Sequence, residues 1–304
     1  MIIKNKKPTL SIIIVNFNVK ELLLNCLESI YKSKGAKKQW EIIVVDNASS
    51  DNSVNTVKKK YPLVRVIVSK RNLGFSSANN LGVSQSRGKF VLFLNPDTLV
   101  ESKTLQETLD FMIADEKIGA LTCRVDLPDG KMDYSCHRGF PTPWNSLCYF
   151  TGLSKLFPKS KTFAGYPATY HEIEKVHVID CCSGVFLLVR REAGDNIGWW
   201  DEDYFWNGED IEFCYRLKEA GYLIYFYPKV KITHFKGSSS GLKKTARTKV
   251  LREVRIKSAK SASEAMKIFY KKHYQNKFFL LRILILFGIF ALEKYRLFRI
   301  SLSK

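Results

Sequence analysis

Apolar and polar positions follow two different periods along the first part of the chain. Leu10–Val15 is a continuous apolar, β-branched run, as in a strand buried on both faces. In Val19–Lys32, the residues Leu22, Leu23, Cys26, Leu27 and Ile30 recur at helical spacing. The same alternation predicts strand Glu41–Asp46, helix Ser53–Lys60, strand Leu63–Ser69, helix Ser76–Ser86, strand Phe90–Asn95 and helix Ser102–Asp115. Strands separated by helices imply βαβ units, hence an α/β fold with a mostly parallel sheet flanked by helices. Ligands of such sheets sit beyond the strand C-termini. Asn16, Asn18, Asp46, Asn47, Asn95 and Asp97 all fall at those ends.

The second half is less regular. Residues 126–175 are rich in Pro, Gly and aromatics and read as loops. Ser183–Arg190 predicts a strand, Asp210–Glu219 a helix closed by Gly221, and Tyr222–Tyr227 a short strand closed by Pro228. The Gly/Ser-rich stretch 237–241 reads as the exit from the domain. No internal repeat is present.

Composition narrows the class. With 45% hydrophobic and 26% charged residues, the 304-residue chain is globular rather than disordered. Seven cysteines, an odd number with no C-x-x-C pair, fit neither a disulfide framework nor a zinc site. Reduced thiols in a cytoplasmic setting are expected. The basic N-terminus lacks the apolar region of a signal peptide.

The net charge of +20 is unevenly placed. Residues 243–304 hold 17 Lys/Arg against 3 Asp/Glu, a net of +14 on the tail. A basic segment beside the apolar run Phe278–Leu292 suits an interfacial helix on an anionic membrane surface. Fifteen residues are too few to span a bilayer, which needs about 20. A tail that binds no nucleic acid is expected, because such a tail has no use for clustered Phe278, Phe279, Leu284, Phe287 and Phe290. A helix packed on its own domain, or a homodimer contact, is the alternative.

Four strings bring the first half together: Ser11-Ile-Ile-Ile-Val-Asn16-Phe-Asn18, Ile-Val-Val-Asp46-Asn-Ala-Ser-Ser-Asp51, Asn72-Leu-Gly74-Phe-Ser-Ser-Ala-Asn79-Asn80-Leu-Gly82, and Phe-Leu-Asn95-Pro-Asp97-Thr. Ser183-Gly184, Gly208-Glu-Asp210-Ile-Glu212 and His234-Phe-Lys-Gly237 follow in the second half. In this order they resemble glycosyltransferase family 2, and within it the rhamnosyltransferase-like branch, over roughly residues 9–241. The resemblance implies a GT-A fold: a Rossmann-like nucleotide-binding half at about 9–125, continuous with an acceptor half at about 126–242. The tail 243–304 stands outside it.

The residues carry chemistry of their own. A carboxylate at a strand end, Asp46, can accept the N3–H of uracil or thymine. Asp51 opens the next helix, as a nucleotide contact or as a cap. Gly74 and Gly82 bracket a helix start suited to a diphosphate, although turn chemistry alone also calls for glycine. Arg71 is a diphosphate partner or a solvated loop charge. The resemblance adds Asn16 and Asn79 to the donor site. Asn95-Pro-Asp97 stands where the family has Asp-x-Asp, so Asp97, alone or with His234, is the expected ligand of Mg²⁺ or Mn²⁺. The Glu209, Asp210 and Glu212 carboxylates at a helix start suit dipole-complementing caps; the resemblance assigns the general base to Asp210. It also places Glu209, Glu212, Gly184 and Trp206 near the acceptor. Trp199, Trp200 and Trp206 suit sugar stacking or core packing alike.

The implied activity is inverting transfer of a sugar, foremost L-rhamnose from dTDP-L-rhamnose, to a lipid-linked or cell-surface glycan at the inner face of the membrane. Three rivals stand beside it: a UDP-sugar transferase of the same fold, a sugar-phosphate nucleotidyltransferase and a non-catalytic membrane-binding scaffold. The nucleotidyltransferase places a Gly-rich basic loop after strand 1, where this chain has Asn16-Phe17-Asn18.

Overall fold

The computed structural model describes residues 7–35, 40–235, 249–274 and 279–302. The first half runs β1 (Leu10–Asn16), α1 (Lys20–Tyr31), β2 (Trp40–Asp46), α2 (Ser53–Lys60), β3 (Arg65–Val68), α3 (Gly74–Ser84) and β4 (Phe90–Leu94). It continues through β5 (Thr98–Val100), α4 (Thr104–Ala114) and β6 (Ile118–Asp126). After a 3₁₀ turn at Tyr134–Cys136 come α5 (Pro143–Thr151), α6 (Leu153–Leu156), β7 (His177–Val178) and β8 (Phe186–Arg190). Then follow α7 (Arg191–Ile197), α8 (Glu209–Glu219), β9 (Leu223–His234), α9 (Lys249–Tyr274) and α10 (Phe279–Leu302).

Among the described residues one sheet holds nine strands, in the order β3-β2-β1-β4-β8-β6-β9-β5, with β7 paired to β9. The βαβ part, β3-β2-β1-β4, is parallel throughout, as the alternation requires. Beyond it the sheet is mixed: β8 runs antiparallel to both β4 and β6, while β6 and β9 are parallel. Leu10, Ile12, Ile13 and Ile14 of β1 and all of β4 are buried, so strands covered by helices on both faces account for the unbroken apolar runs. At Gly82 of α3 a Cβ would stand 2.5 Å from Ile13 Cγ2, and the missing side chain lets the helix lie against β1.

Four details depart from the sequence pattern. β6, nine residues long and almost wholly buried, falls where no strand was expected. The Leu63–Ser69 strand is shorter, with Leu63 86% exposed outside it. The strand expected to close at Pro228 runs on to His234. A register shift against β6, between the Cys123–Tyr227 and Arg124–Lys231 partners, lets Pro228 sit in a bulge where no ladder N–H is needed. The loop-like stretch 126–175 also holds α5, whose Thr142 cap accepts from Asn145 N at 3.2 Å ahead of Pro143 at the first turn.

The first tail helix packs on the α/β domain. Phe269 and Tyr270 of α9 are buried against Tyr215 and the α5 region, and Tyr270 OH donates to Pro141 O at 2.9 Å. His273 Nε2 lies 2.8 Å from Glu212 Oε2, and Lys272 pairs with Asp201 and Asp203 at 2.5 and 2.7 Å. Ser261 Oγ donates to Trp206 O. α10 packs back along α9. Among the described residues no helix is long and apolar enough to cross a membrane. The expected domain exit at 237–241 and the start of the apolar run at Phe278 lie outside the described residues.

Candidate active site

The C-terminal ends of β1 and β2 lie in register, Asn16 beside Asp46. Asn16 Nδ2 donates to Asp46 Oδ1 at 2.9 Å, and Ser49 N donates to Asp46 Oδ2 at 3.0 Å. Asp46 is thereby buried with a fixed carboxylate plane at the strand end. Asn47 clamps the facing loop, bonding Asn72 Oδ1, Gly74 O and Leu73 N at 2.8–3.0 Å.

Other donor-side residues are occupied with structure. Asp51 accepts from Lys20 N at 2.8 Å and from Ser53 N at 3.1 Å, leading both α1 and α2. Burial alone would raise its pKa, but a hydrogen bond from the Ser53 hydroxyl, together with these backbone ones, outweighs burial and lowers it. Gly74 has φ +80°, and a Cβ there would stand 2.5 Å from Phe205 O, so the tight approach of that loop calls for glycine. Asn79 donates to Phe75 O within α3 at 3.0 Å. The Arg71 side chain is exposed.

The pairing of β5 with β9 sets Thr98 opposite His234, and Phe235 N donates to Asp97 O at 2.8 Å. His234 Nε2 comes to lie 3.4 Å from Asp97 Oδ1, and its Nδ1 3.4 Å from Asp133 Oδ2, all three side chains buried. Burial by itself would lower the imidazole pKa; hydrogen bonds and charge from Asp133 and Asp97 outweigh it and raise it. Among the described residues no group of three or more His, Cys, Asp or Glu is arranged to hold a metal. The Asp97–His234 pair therefore fits a divalent ion only as two of its ligands, the rest coming from phosphate and water oxygens, as Mg²⁺ prefers.

A cavity of about 560 Å³, where the resemblance implies an acceptor, is lined by Asn95, Ser183, Trp206, Glu209, Asp210 and His234, by Arg138 and Tyr149, and by Ala262, Met266 and Phe269 of α9. Arg138 donates to Asp210 Oδ2 at 2.5 Å. Next to this pair, burial and the Asp210 charge push Glu209 up to about 8, so it carries a proton at neutral pH. Glu209 Oε2 and Ser183 Oγ are buried with no hydrogen-bond partner among the described residues, leaving both open to a hydroxyl in the cavity.

Two of the expected acceptor residues, Glu212 and Gly184, do not line this cavity. Glu212 is 1% exposed and bonds Tyr204 OH at 3.0 Å and His273, so it fastens α9 to the domain. Gly184 leaves room for the Phe75 and Trp200 rings, its Cβ position lying 2.9 Å from Phe75. Trp199 and Trp200 pack edge-on against Phe93 in the core, and only Trp206 of the three tryptophans reaches the cavity. Sequence reading passed over Arg138 and Asp133. Both lie in the stretch that reads as loop, where no period or motif marks them. All seven cysteines are free and buried, and burial raises Cys26 and Cys136 to about 12.

A Rossmann-like parallel half with a carboxylate clamp, joined to a mixed half with a second carboxylate in a cavity, defines a GT-A glycosyltransferase. The glycosyl transferase family 2 model matches residues 11–173, and the chain belongs to that family. It is 27% identical to the N-acetylglucosaminyl-diphospho-decaprenol L-rhamnosyltransferase of Mycobacterium tuberculosis over 220 residues, 69% of this chain and 71% of that protein. It is 26% identical to the poly-beta-1,6-N-acetyl-D-glucosamine synthase of Staphylococcus aureus, over 74% of this chain and 51% of that protein. The mannosyltransferase PcManGT of Pyrobaculum calidifontis, solved with GDP-Man and Mn²⁺, shares the fold, with a TM-score of 0.59 and 17% identity over 98% of this chain and 74% of that one. TarS of S. aureus shares it at a TM-score of 0.54 and 15% identity, over 93% of this chain and 49% of that one.

Proposed function

We propose that the protein is an inverting transferase that moves L-rhamnose from dTDP-L-rhamnose to a hydroxyl of a lipid-linked glycan at the inner membrane face. The observation that carries this reading is the placing of Asp210 in a cavity that also reaches His234, so that a proton acceptor and the donor's diphosphate site share one space. Asp46, held by Asn16 and Ser49, accepts the N3–H of the base. That contact serves thymine and uracil alike, so likeness to the mycobacterial L-rhamnosyltransferase, rather than the clamp, favours the deoxythymidine donor over a UDP-sugar. Asp97 and His234 would hold Mg²⁺ or Mn²⁺, which when bound offsets the charge building on the leaving diphosphate.

Asp210 takes the acceptor proton as that oxygen attacks the anomeric carbon from the face opposite the leaving group. Arg138 donates to Oδ2 and Ile211 N donates to Oδ1 at 2.8 Å, which fixes the carboxylate's rotamer and leaves it a lone pair for the acceptor proton. Glu209, protonated, and Ser183 offer hydrogen bonds to the acceptor's other hydroxyls.

Nucleotide diphosphate release by the purified protein, measured across dTDP-L-rhamnose, UDP-N-acetylglucosamine and UDP-glucose with Mn²⁺ and a prenyl diphosphate-linked N-acetylglucosamine, tests the reading. Rhamnosyl product with Asp210→Asn inactive is the expected result. Turnover of a UDP-sugar alone would move the assignment to the synthase-like branch.

A further inference from the structure

Beside the acceptor cavity runs a second hollow of about 800 Å³, within the range of ligand pockets, about 300–1,000 Å³. Its walls come from α5 (Trp144, Leu147, Phe150), α9 (Met266) and α10 (Ile289, Leu292). Its polar groups are few, and Tyr270 OH is already spent on Pro141 O. The groove and the cavity share Ser146, Phe150, Met266 and Tyr270 in their walls, so the two lie directly against each other. Large apolar side chains of its walls stay exposed: Trp144 at 46%, Leu147 at 51% and Phe150 at 48%. Arg296 of α10 and Arg138 line the cavity.

An apolar groove thus adjoins a cavity that holds two guanidiniums and the Asp210 carboxylate. We propose that the groove between α5 and the α9–α10 hairpin holds the prenyl chain of a diphosphate-linked acceptor, with Arg138 and Arg296 at its diphosphate and the sugar hydroxyl at Asp210. This rests on the transferase reading above and extends it: the tail helices are the acceptor's lipid-binding wall. An apolar chain gains from leaving water over the groove's area, and a diphosphate between two guanidiniums makes charge-assisted hydrogen bonds. A single sugar lacks both features.

Gly288 gives a clean test. It lines the groove on α10, and a Cβ there meets nothing within 4 Å. Ala and Phe are both better helix formers than Gly, so substitution does not threaten the helix. Binding of a fluorescent farnesyl diphosphate to the full chain is measured for wild type, Gly288→Ala and Gly288→Phe, with inorganic diphosphate and phosphatidylglycerol vesicles as separate arms. Gly288→Phe is expected to weaken farnesyl diphosphate binding at least about tenfold by filling apolar space. Gly288→Ala should bind as wild type, and inorganic diphosphate binding should be the same in all three. Equal binding of farnesyl diphosphate by Gly288→Phe and wild type overturns the proposal. So does an equal loss of vesicle binding in that variant, which would make the groove a general membrane contact. Donor hydrolysis in the same variants separates the two readings. Intact hydrolysis with chain-independent binding removes the groove alone, whereas absent hydrolysis in wild type removes the transferase reading and leaves the binding result standing.

Discussion

Arg138 donates to Asp210 Oδ2 at 2.5 Å, and both side chains are largely withdrawn from water, at 16% and 14% exposure. The two residues are 72 apart in sequence and meet only because the irregular segment after β6 folds back over α8. The pair places a carboxylate of fixed orientation in the acceptor cavity.

Asp210→Asn is expected to lower kcat by about 10²–10⁴, the usual contribution of a general base. The donor KM should stay within about twofold, since the base acts only on the reaction path. Arg138→Met removes one member of a buried pair and should destabilise the fold by about 3–5 kcal/mol in urea unfolding. The double variant should recover part of that loss. Strict additivity would show that the pair is not coupled.

Asp46→Ala should raise the nucleotide Kd by about tenfold, as a buried hydrogen bond is lost. Isothermal titration with dTDP measures this directly. Asp51→Ala should lower thermal stability instead, by about 1 kcal/mol per lost cap, with the nucleotide Kd unchanged.

Transfer should require added Mg²⁺ or Mn²⁺ and stop in excess chelator. With Asn95 where a second carboxylate would stand, the half-saturating metal concentration should be high, and Asn95→Asp should lower it by adding a charge. Full activity of the wild type in chelator would make Asp97 a plain polar contact.

Acid should unfold the acceptor half. His137 is fully buried, with Nε2 2.6 Å from His177 Nε2. Burial, followed by repulsion from His177 and His171, pushes its pKa down to about 4. The unfolded chain takes up a proton near pH 6.5 that the folded chain refuses until about 4. The stabilisation is whole above pH 6.5 and drains away as pH falls toward 4, roughly 3 kcal/mol from this one site. His137→Leu should flatten that limb of a Tm-against-pH curve. An unchanged slope would place the acid sensitivity elsewhere.

The tail should not be dispensable as a unit. A chain ending at 242 loses α9 and uncovers Glu212 and Tyr215, and should lose transfer and solubility together. A chain ending at 274 keeps the α9 side of the cavity, losing Arg296 of α10, and should fold. It should pellet less with anionic liposomes than the full chain does, and the difference should shrink with added salt as screening sets in beyond about 10 Å. Equal pelleting of the two would show that α10 makes no membrane contact.

The β1–β4 half was legible because its information is local. Leu10–Val15 and Phe90–Asn95 are apolar without interruption since helices cover both faces, and the polar residues that follow them mark the ligand edge. Asp46, Asp97, Asp210 and His234 could each be picked out by a strand end or a helix start. What local pattern could not carry was pairing at a distance. The β5–β9 ladder decides that Asp97 meets His234, and a fold-back of loop-like sequence brings Arg138 to Asp210. The same holds where residues were diverted from the site. Glu212 sits in a carboxylate cluster at a helix start, yet His273, 61 residues away, draws it under α9. The tail's charge and apolar run are read directly from its sequence. Whether its first helix lies on lipid or on the protein is decided by the surface left open for it, and α8 offered one that buries Phe269 and Tyr270.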